Sequence, residues 1–258
     1  GDLVARFEVT LNEKQKESHL KAMDILHNTV DLAWEKVRLG LKNGHALTEY
    51  SIQREMVKFM ESGGLIMDSP PIVAVNAHAA DPHYEPGPEG STSIEPGQVL
   101  LTDLWGRFPE QGAVYADITW CAWTGESVPD EPKNIFDIVM KARDAGISKA
   151  EEVAGRDVQG WEVDQATRKV IADAGYGDYF IHRTGHSIHG DVHANGANMD
   201  DYETHDHRRL LPDTLFSVEP GIYLPGRIGF RSEVDVMIEA DKAVVTGRRQ
   251  TELPALLA

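Results

Sequence analysis

At 258 residues, with 41% hydrophobic and 26% charged side chains, the chain has the composition of a globular protein able to build a substantial core. A formal net charge of −17 argues against a nucleic-acid or anionic-membrane partner, because little would neutralise the phosphates. Cys121 is the only cysteine, which leaves no intrachain disulfide and no thiolate metal site, and no apolar run approaches membrane-spanning length.

Residues 1–10, GDLVARFEVT, read as a lead-in strand or linker. From Leu11 the pattern is helical: Leu20, Met23, Leu26, Val30, Ala33, Val37 and Leu41 recur at spacings of three and four. Asn12 is the expected N-cap and Gly44 the expected C′ residue. Thr48 then caps a second helix through Met60, stopped by Gly63 and Gly64. His19, His27 and His45 in this zone are expected to pack or to face solvent.

Pro70 to Val75 reads as a short buried strand, followed by a loop dense in Pro and Gly that carries His83 between Pro82 and Tyr84. A loop of this length in a compact domain is usually functional or disordered. Gln98–Trp105 and Ala113–Trp123 read as strands joined by GRFPEQG, with Cys121 expected as a packed core thiol. Each strand carries one acid among apolar residues, Asp103 and Asp117, 14 positions apart. Aspartate is depleted in strand interiors and a buried carboxylate needs a partner, so the alternatives are strand-edge acids facing water or a site.

Lys133–Ala145 and Gly160–Ala174 read as two further helices. The stretch YFIHRTGHSIHGDVHANG then sets His182, His186, His189 and His193 among Gly185, Gly190 and Gly196. Such a loop is either a harmless surface segment or a source of neutral metal ligands and proton carriers. Strands at Thr214–Val218 and Phe230–Ile238 follow, with Glu219 and Glu233 again 14 positions apart and Pro220-Gly221 closing the first sharply.

The order helix, helix, His loop, strand-Asp, strand-Asp, then helix, helix, His loop, strand-Glu, strand-Glu is a coarse internal duplication. It predicts an α+β fold of two pseudo-symmetric halves, their strands in one curved, mostly antiparallel sheet with helices outside. The acids would face one another across an approximate two-fold. Four carboxylates and an imidazole brought together inside a sheet would raise one another's pKa values, and two divalent cations would neutralise them. A water bridging those cations would deprotonate near neutral pH and serve as a hydrolytic nucleophile. The oxygen-rich set suits manganese first, with cobalt, zinc or iron as alternatives.

With the contexts TDLWG, YADITW, GHSIH, FSVEPGIY and FRSEVD, the chain resembles the pita-bread metallopeptidase superfamily of methionine aminopeptidase, aminopeptidase P and prolidase, which also includes creatinase. The resemblance runs from about Leu11 to Ile238 and implies five metal ligands: Asp103, Asp117, His186, Glu219 and Glu233. The PHY context of His83 and the spacing of His182, His186 and His193 resemble the proline-specific branch. By that resemblance His83 sits beside the substrate carbonyl, His193 contacts the peptide and stabilises the tetrahedral intermediate, and His182 lines the proline pocket. Arg231 orders the site, and Glu219 is both ligand and proton shuttle to the leaving nitrogen.

The implied function is that of an Xaa-Pro aminopeptidase, hydrolysing Xaa-Pro bonds by a metal-bridging hydroxide; the alternative is an Xaa-Pro dipeptidase (prolidase). The complete ligand set disfavours a creatinase-like C–N hydrolase and a non-catalytic binding module. His182 and the PHY context disfavour methionine aminopeptidase. The implied partner is a peptide with proline at its second position, and a homodimer is expected. Residues 11–258 are expected to form a single catalytic domain without the N-terminal domain of longer members, either as part of a larger protein or as a naturally short form. No signal peptide is visible, and a cytoplasmic compartment is expected. His189, where the family often has glycine, and Trp105, inserted where Asp-x-Gly is common, bear on pocket shape. His205, His207, Asp191, Asp200 and Asp201 read as polar loop residues.

Overall fold

The computed structural model describes residues 8–258, so most of the expected lead-in segment, residues 1–7, lies outside the described residues. Val9 is buried against Leu211, and the Leu11 N–H bonds the Asp213 carbonyl at 2.7 Å.

Helix α1 (Glu13–Lys42) begins at a reciprocal capping box between Asn12 and Gln15, and Gly44 follows its end at φ 68°. Its buried stripe holds Met23, Leu26, Val30, Ala33 and Val37, each worth about 1–3 kcal/mol of apolar burial. Leu20 departs from expectation, lying on the exposed face. His19 takes the inward place because its ring is fully satisfied there, with Nδ1 donating to the Tyr115 carbonyl at 2.8 Å and Nε2 accepting from Thr246 Oγ1 at 2.7 Å. His27 is also buried, accepting the Arg248 N–H at 2.9 Å, while His45 is exposed. Helix α2 (Glu49–Ser62) starts at a second capping box, Thr48 with Ser51, and ends at Gly63 and Gly64.

Strands β1 (Ile72–Val75), β2 (Val99–Gly106) and β3 (Ala116–Trp123) form an antiparallel sheet in that order. Helices α1 and α2 cover it, packing Met23, Leu26, Ile52 and Met56 against Val73, Leu100, Leu104 and Ile118. Helices α3 (Asp130–Glu151) and α4 (Gly160–Asp173) cover the second half, where Ile147, Val163, Phe216, Val218 and Val236 share a core. That half contains β4 (Ser187–Ile188), β5 (Leu215–Val218), β8 (Val234–Glu239) and β9 (Lys242–Val245), hydrogen-bonded in the order β4-β5-β8-β9. A separate hairpin pairs β6 (Gly221–Leu224) with β7 (Ile228–Arg231).

Strands β4, β6 and β9 lie outside the strands expected from the sequence, and two further features differ from that reading. The expected strand Phe230–Ile238 is broken at Ser232 and Glu233, whose N–H groups leave for the Pro220 carbonyl (3.2 Å) and the Thr119 carbonyl (3.1 Å). Among the described residues the strands also form three hydrogen-bonded sheets where one continuous sheet was expected. At the junction of the halves, the Asp117 N–H goes to the Asp235 carboxylate at 2.9 Å and not to a strand carbonyl. A side chain that takes a ladder donor interrupts the ladder at that point.

Candidate metal centre

Each carboxylate of the predicted set is aimed by strand register. Asp103 pairs with Thr119 across β2 and β3, so Asp117, two residues before Thr119, lies diagonally opposite Asp103 on the same face. Val218 pairs with Val234, which sets Glu219, one residue beyond, opposite Glu233, one residue before. Ser217 accepts the His186 N–H at 3.0 Å and donates to Glu219 Oε1 at 3.2 Å, fixing the imidazole and the carboxylate together. Gly185 makes this possible: a Cβ there would lie 1.9 Å from the Ser217 carbonyl oxygen.

His186 Nε2 then stands 3.4 Å from Glu219 Oε1 and 3.6 Å from Asp117 Oδ2. Its Nδ1 faces the Ser187 carbonyl at 3.4 Å, which assigns the proton to Nδ1 and leaves Nε2 with its lone pair toward the acids. Arg231, at the end of β7, donates to Asp103, to the Tyr223 hydroxyl (3.0 Å) and to Thr119 Oγ1 (3.0 Å). Thr119 passes the contact on, donating to Glu233 Oε2 at 2.7 Å. One guanidinium therefore orients acids from both halves.

The electrostatics are unbalanced. Asp103, Asp117, Glu219, Glu233 and Asp235 are at least largely buried, and Arg231 is the cation among them. Burial, then the neighbouring acids, pushes Asp117 and Glu233 well above the usual carboxylate range, and burial does the same to Asp235. Burial raises Glu219 to about 7, against the lowering effect of Arg231. Asp117 Oδ1 and Asp235 Oδ1 are buried without a hydrogen-bond partner. Asp117, His186 and Glu233 each offer a ligand atom, all within 4.8 Å of one another, and no other such group of three occurs among the described residues. Excess buried negative charge, orphaned carboxylate oxygens and one lone-pair imidazole are what a divalent cation requires, so the residues fit the metal expected from the sequence.

The remaining predicted residues are less uniformly gathered. His182 is held by Tyr223, whose hydroxyl lies 2.8 Å from Nε2, while Nδ1 donates to the Arg183 carbonyl at 2.7 Å. Burial and then the charge of Arg231 lower it to about 3, so it is neutral. His193 is exposed and meets His186 edge-on, with ring centroids 4.3 Å apart. His83 is exposed on its loop, and among the described residues no hydrogen bond or ring contact joins it to the carboxylates. His189 contacts Gln15 of α1 at 3.3 Å, and the Trp105 indole donates to Asp68 at 2.7 Å. His205 stacks on Trp161 and bonds Asp201, His207 meets it edge-on, and both histidines are exposed, as read from the sequence.

Sequence reading did not single out Asp235, Thr119, Ser217 or Tyr223. A signal existed for Asp235, a second acid alternating with Glu233 at the start of an apolar strand. The three hydroxyls, all on strands, carried no signal that would set them apart from ordinary strand residues.

Comparison with known proteins agrees with this architecture. The profile of metallopeptidase family M24 matches residues 17–240. The chain is 30% identical over 238 residues to the Xaa-Pro dipeptidase of Lactobacillus delbrueckii subsp. lactis, covering 90% of this chain and 58% of that protein. It superposes on the dipeptidase from Pyrococcus horikoshii OT3 with a TM-score of 0.82 at 26% identity, covering 98% of this chain and 65% of that one. The X-Pro aminopeptidase from Thermotoga maritima MSB8 gives the same TM-score, 0.82, at 26% identity, with 98% and 66% covered. The chain thus spans between half and two thirds of these relatives. Its α+β architecture is the pita-bread fold, and the chain belongs to metallopeptidase family M24.

Proposed function

We propose that residues 11–258 form the catalytic domain of a divalent-metal-dependent exopeptidase that hydrolyses Xaa-Pro bonds, in the manner of an Xaa-Pro aminopeptidase. The observation that carries the reading is the convergence, from both halves of the chain, of buried acids whose charge Arg231 alone cannot offset. Asp103, Asp117, His186, Glu219 and Glu233 would hold two divalent ions, manganese first. When bound, such ions supply Lewis acidity and lower the pKa of water.

The chain's own side chains do the rest. Glu219, whose carboxylate lies 3.4 Å from His186 Nε2, accepts a proton from water and delivers it to the leaving nitrogen. That delivery matters for an Xaa-Pro bond, whose nitrogen carries no hydrogen and leaves well only once protonated. Arg231 holds Asp103 directly and Glu233 through Thr119, so the acids keep their orientation. His193, at the exposed rim beside His186, is assigned the developing oxyanion. His182, neutral and oriented by Tyr223, lines the proline pocket, and His83 faces the substrate carbonyl.

The second reading, an Xaa-Pro dipeptidase, is favoured by the activity named for the Lactobacillus relative. A peptide panel with and without proline at the second position, at two lengths and with added manganese, separates the readings. The aminopeptidase reading expects cleavage of Xaa-Pro tripeptides and longer peptides; cleavage of dipeptides alone makes the chain a dipeptidase. Cleavage independent of proline, or none with metal bound, would sink both.

A further inference from the structure

Glu49, the first residue of α2, is fully buried far along the chain from the acids described above. An acid at a helix start gains from the backbone dipole without being buried. This one is instead a hub. Oε1 accepts from the Val75 N–H at 2.8 Å, and Oε2 accepts from the Thr92 N–H at 2.8 Å and the Tyr84 hydroxyl at 2.6 Å. His78 Nδ1 lies 2.9 Å from both oxygens, and its ring stacks on Tyr84 with centroids 4.0 Å apart. These donors come from the end of β1, from the middle of the loop that follows it, and from near that loop's far end.

The same loop is seated on its other side against β7. A Cβ on Gly229 would lie 1.9 Å from the Ala79 carbonyl oxygen and 2.7 Å from the Ala80 Cα, so main chain rests directly on main chain there. Gly229 is two residues before Arg231, and it pairs with Tyr223, the partner of His182. Between the two anchorages, Asp81 accepts the His83 N–H at 2.9 Å, and the Tyr84 N–H bonds the Asp81 carbonyl at 3.1 Å. The exposed imidazole of His83 is thus carried on a short backbone stretch whose neighbours are fixed on both sides.

We propose that Glu49 is a positioning residue: its buried carboxylate ties the 76–92 loop to α2 so that His83 is presented to the substrate. The inference rests on the role of His83 proposed above. Glu49→Gln keeps the side chain's shape but turns an NH2 group toward backbone and side-chain donors. With metal content and melting temperature checked against wild type, kcat/KM on an Xaa-Pro tripeptide is expected to fall on the order of 10-fold to 100-fold. Hydrogen exchange of amides 76–92 is expected to accelerate. The deciding readout is a double-mutant cycle: if Glu49 acts through His83, adding Glu49→Gln to His83→Ala slows the enzyme no further. Full additivity on an impaired His83→Ala background, or wild-type exchange and turnover in Glu49→Gln, overturns the positioning role. Wild-type turnover in His83→Ala instead overturns the role given to His83, and this inference with it. Should Glu49→Gln fail to fold, Tyr84→Phe removes a single donor, and the same non-additive pattern is expected at smaller amplitude.

Discussion

Replacing Glu219 by Gln should stabilise the metal-free protein while abolishing its activity. Glu219 is buried beside Asp103, and its pKa rises from an ordinary 4.5 to about 7. A raised carboxylate favours the folded state fully below its unfolded value and loses that contribution as pH climbs through the folded value. At about 1.4 kcal/mol per pH unit, the rise makes the wild type about 3 kcal/mol less stable at pH 8 than at pH 4 through this group alone. Gln carries no charge at any pH and can keep the Ser217 contact, seen at 3.2 Å in the wild type. In chelator, the variant should therefore melt above the wild type at pH 8, by roughly 6–12 °C for a chain of this size, with the gap closing toward pH 4.5. Burial lowers His19 and His27 to about 4 and His182 to about 3, and these groups make both proteins lose stability below pH 6.5. Their effect cancels in the difference. Melting curves of both proteins in chelator at pH 5, 6, 7 and 8 provide the assay. No gap at pH 8, or an equal gap at pH 5 and 8, would refute the account of the site as a cluster of buried acids in excess of its cations.

Three other outcomes follow from specific contacts. Thr119→Val removes the group joining Arg231 to Glu233, and manganese affinity measured by calorimetry should weaken about 10-fold to 100-fold with little change in fold; unchanged affinity would mean the relay does not orient Glu233. Gly185→Ala forces a Cβ into the Ser217 carbonyl, and should lower both the melting temperature and metal content. A variant that melts like wild type would show that the β4–β5 approach can relax. Cys121 is fully buried with its thiol pushed up to about 12 by burial, so iodoacetamide should leave the native protein unmodified and label it only in denaturant, as mass spectrometry would show.

Much of the architecture was legible because it is written in local periodicity. Asn12, Thr48, Gly44 and Gly64 mark the ends of α1 and α2 as backbone chemistry demands, and the apolar spacing of α1 names its buried face from Met23 to Val37. Acids set in apolar strands, 14 positions apart in each half, identified four of the five carboxylates gathered at the candidate metal centre. Periodicity failed where a polar group was the better-satisfied core residue. His19 displaced Leu20 from the buried stripe because Tyr115 and Thr246 supply both ring partners, and neither is its neighbour in sequence.

The sequence by itself determined the four α-helices and the main strands, which acids sit in apolar company, and the order of the candidate ligands. Tertiary structure alone decided that Glu233 leaves its strand for the Thr119 carbonyl and hydroxyl, 114 positions away, and that Asp235 takes the Asp117 N–H. It alone decided that His182 leans on Tyr223 and that Glu49 ties down the loop bearing His83. Burial is patterned along each element and can be read there. The partners that make a buried polar group tolerable come from distant segments, and no spacing within one element records them.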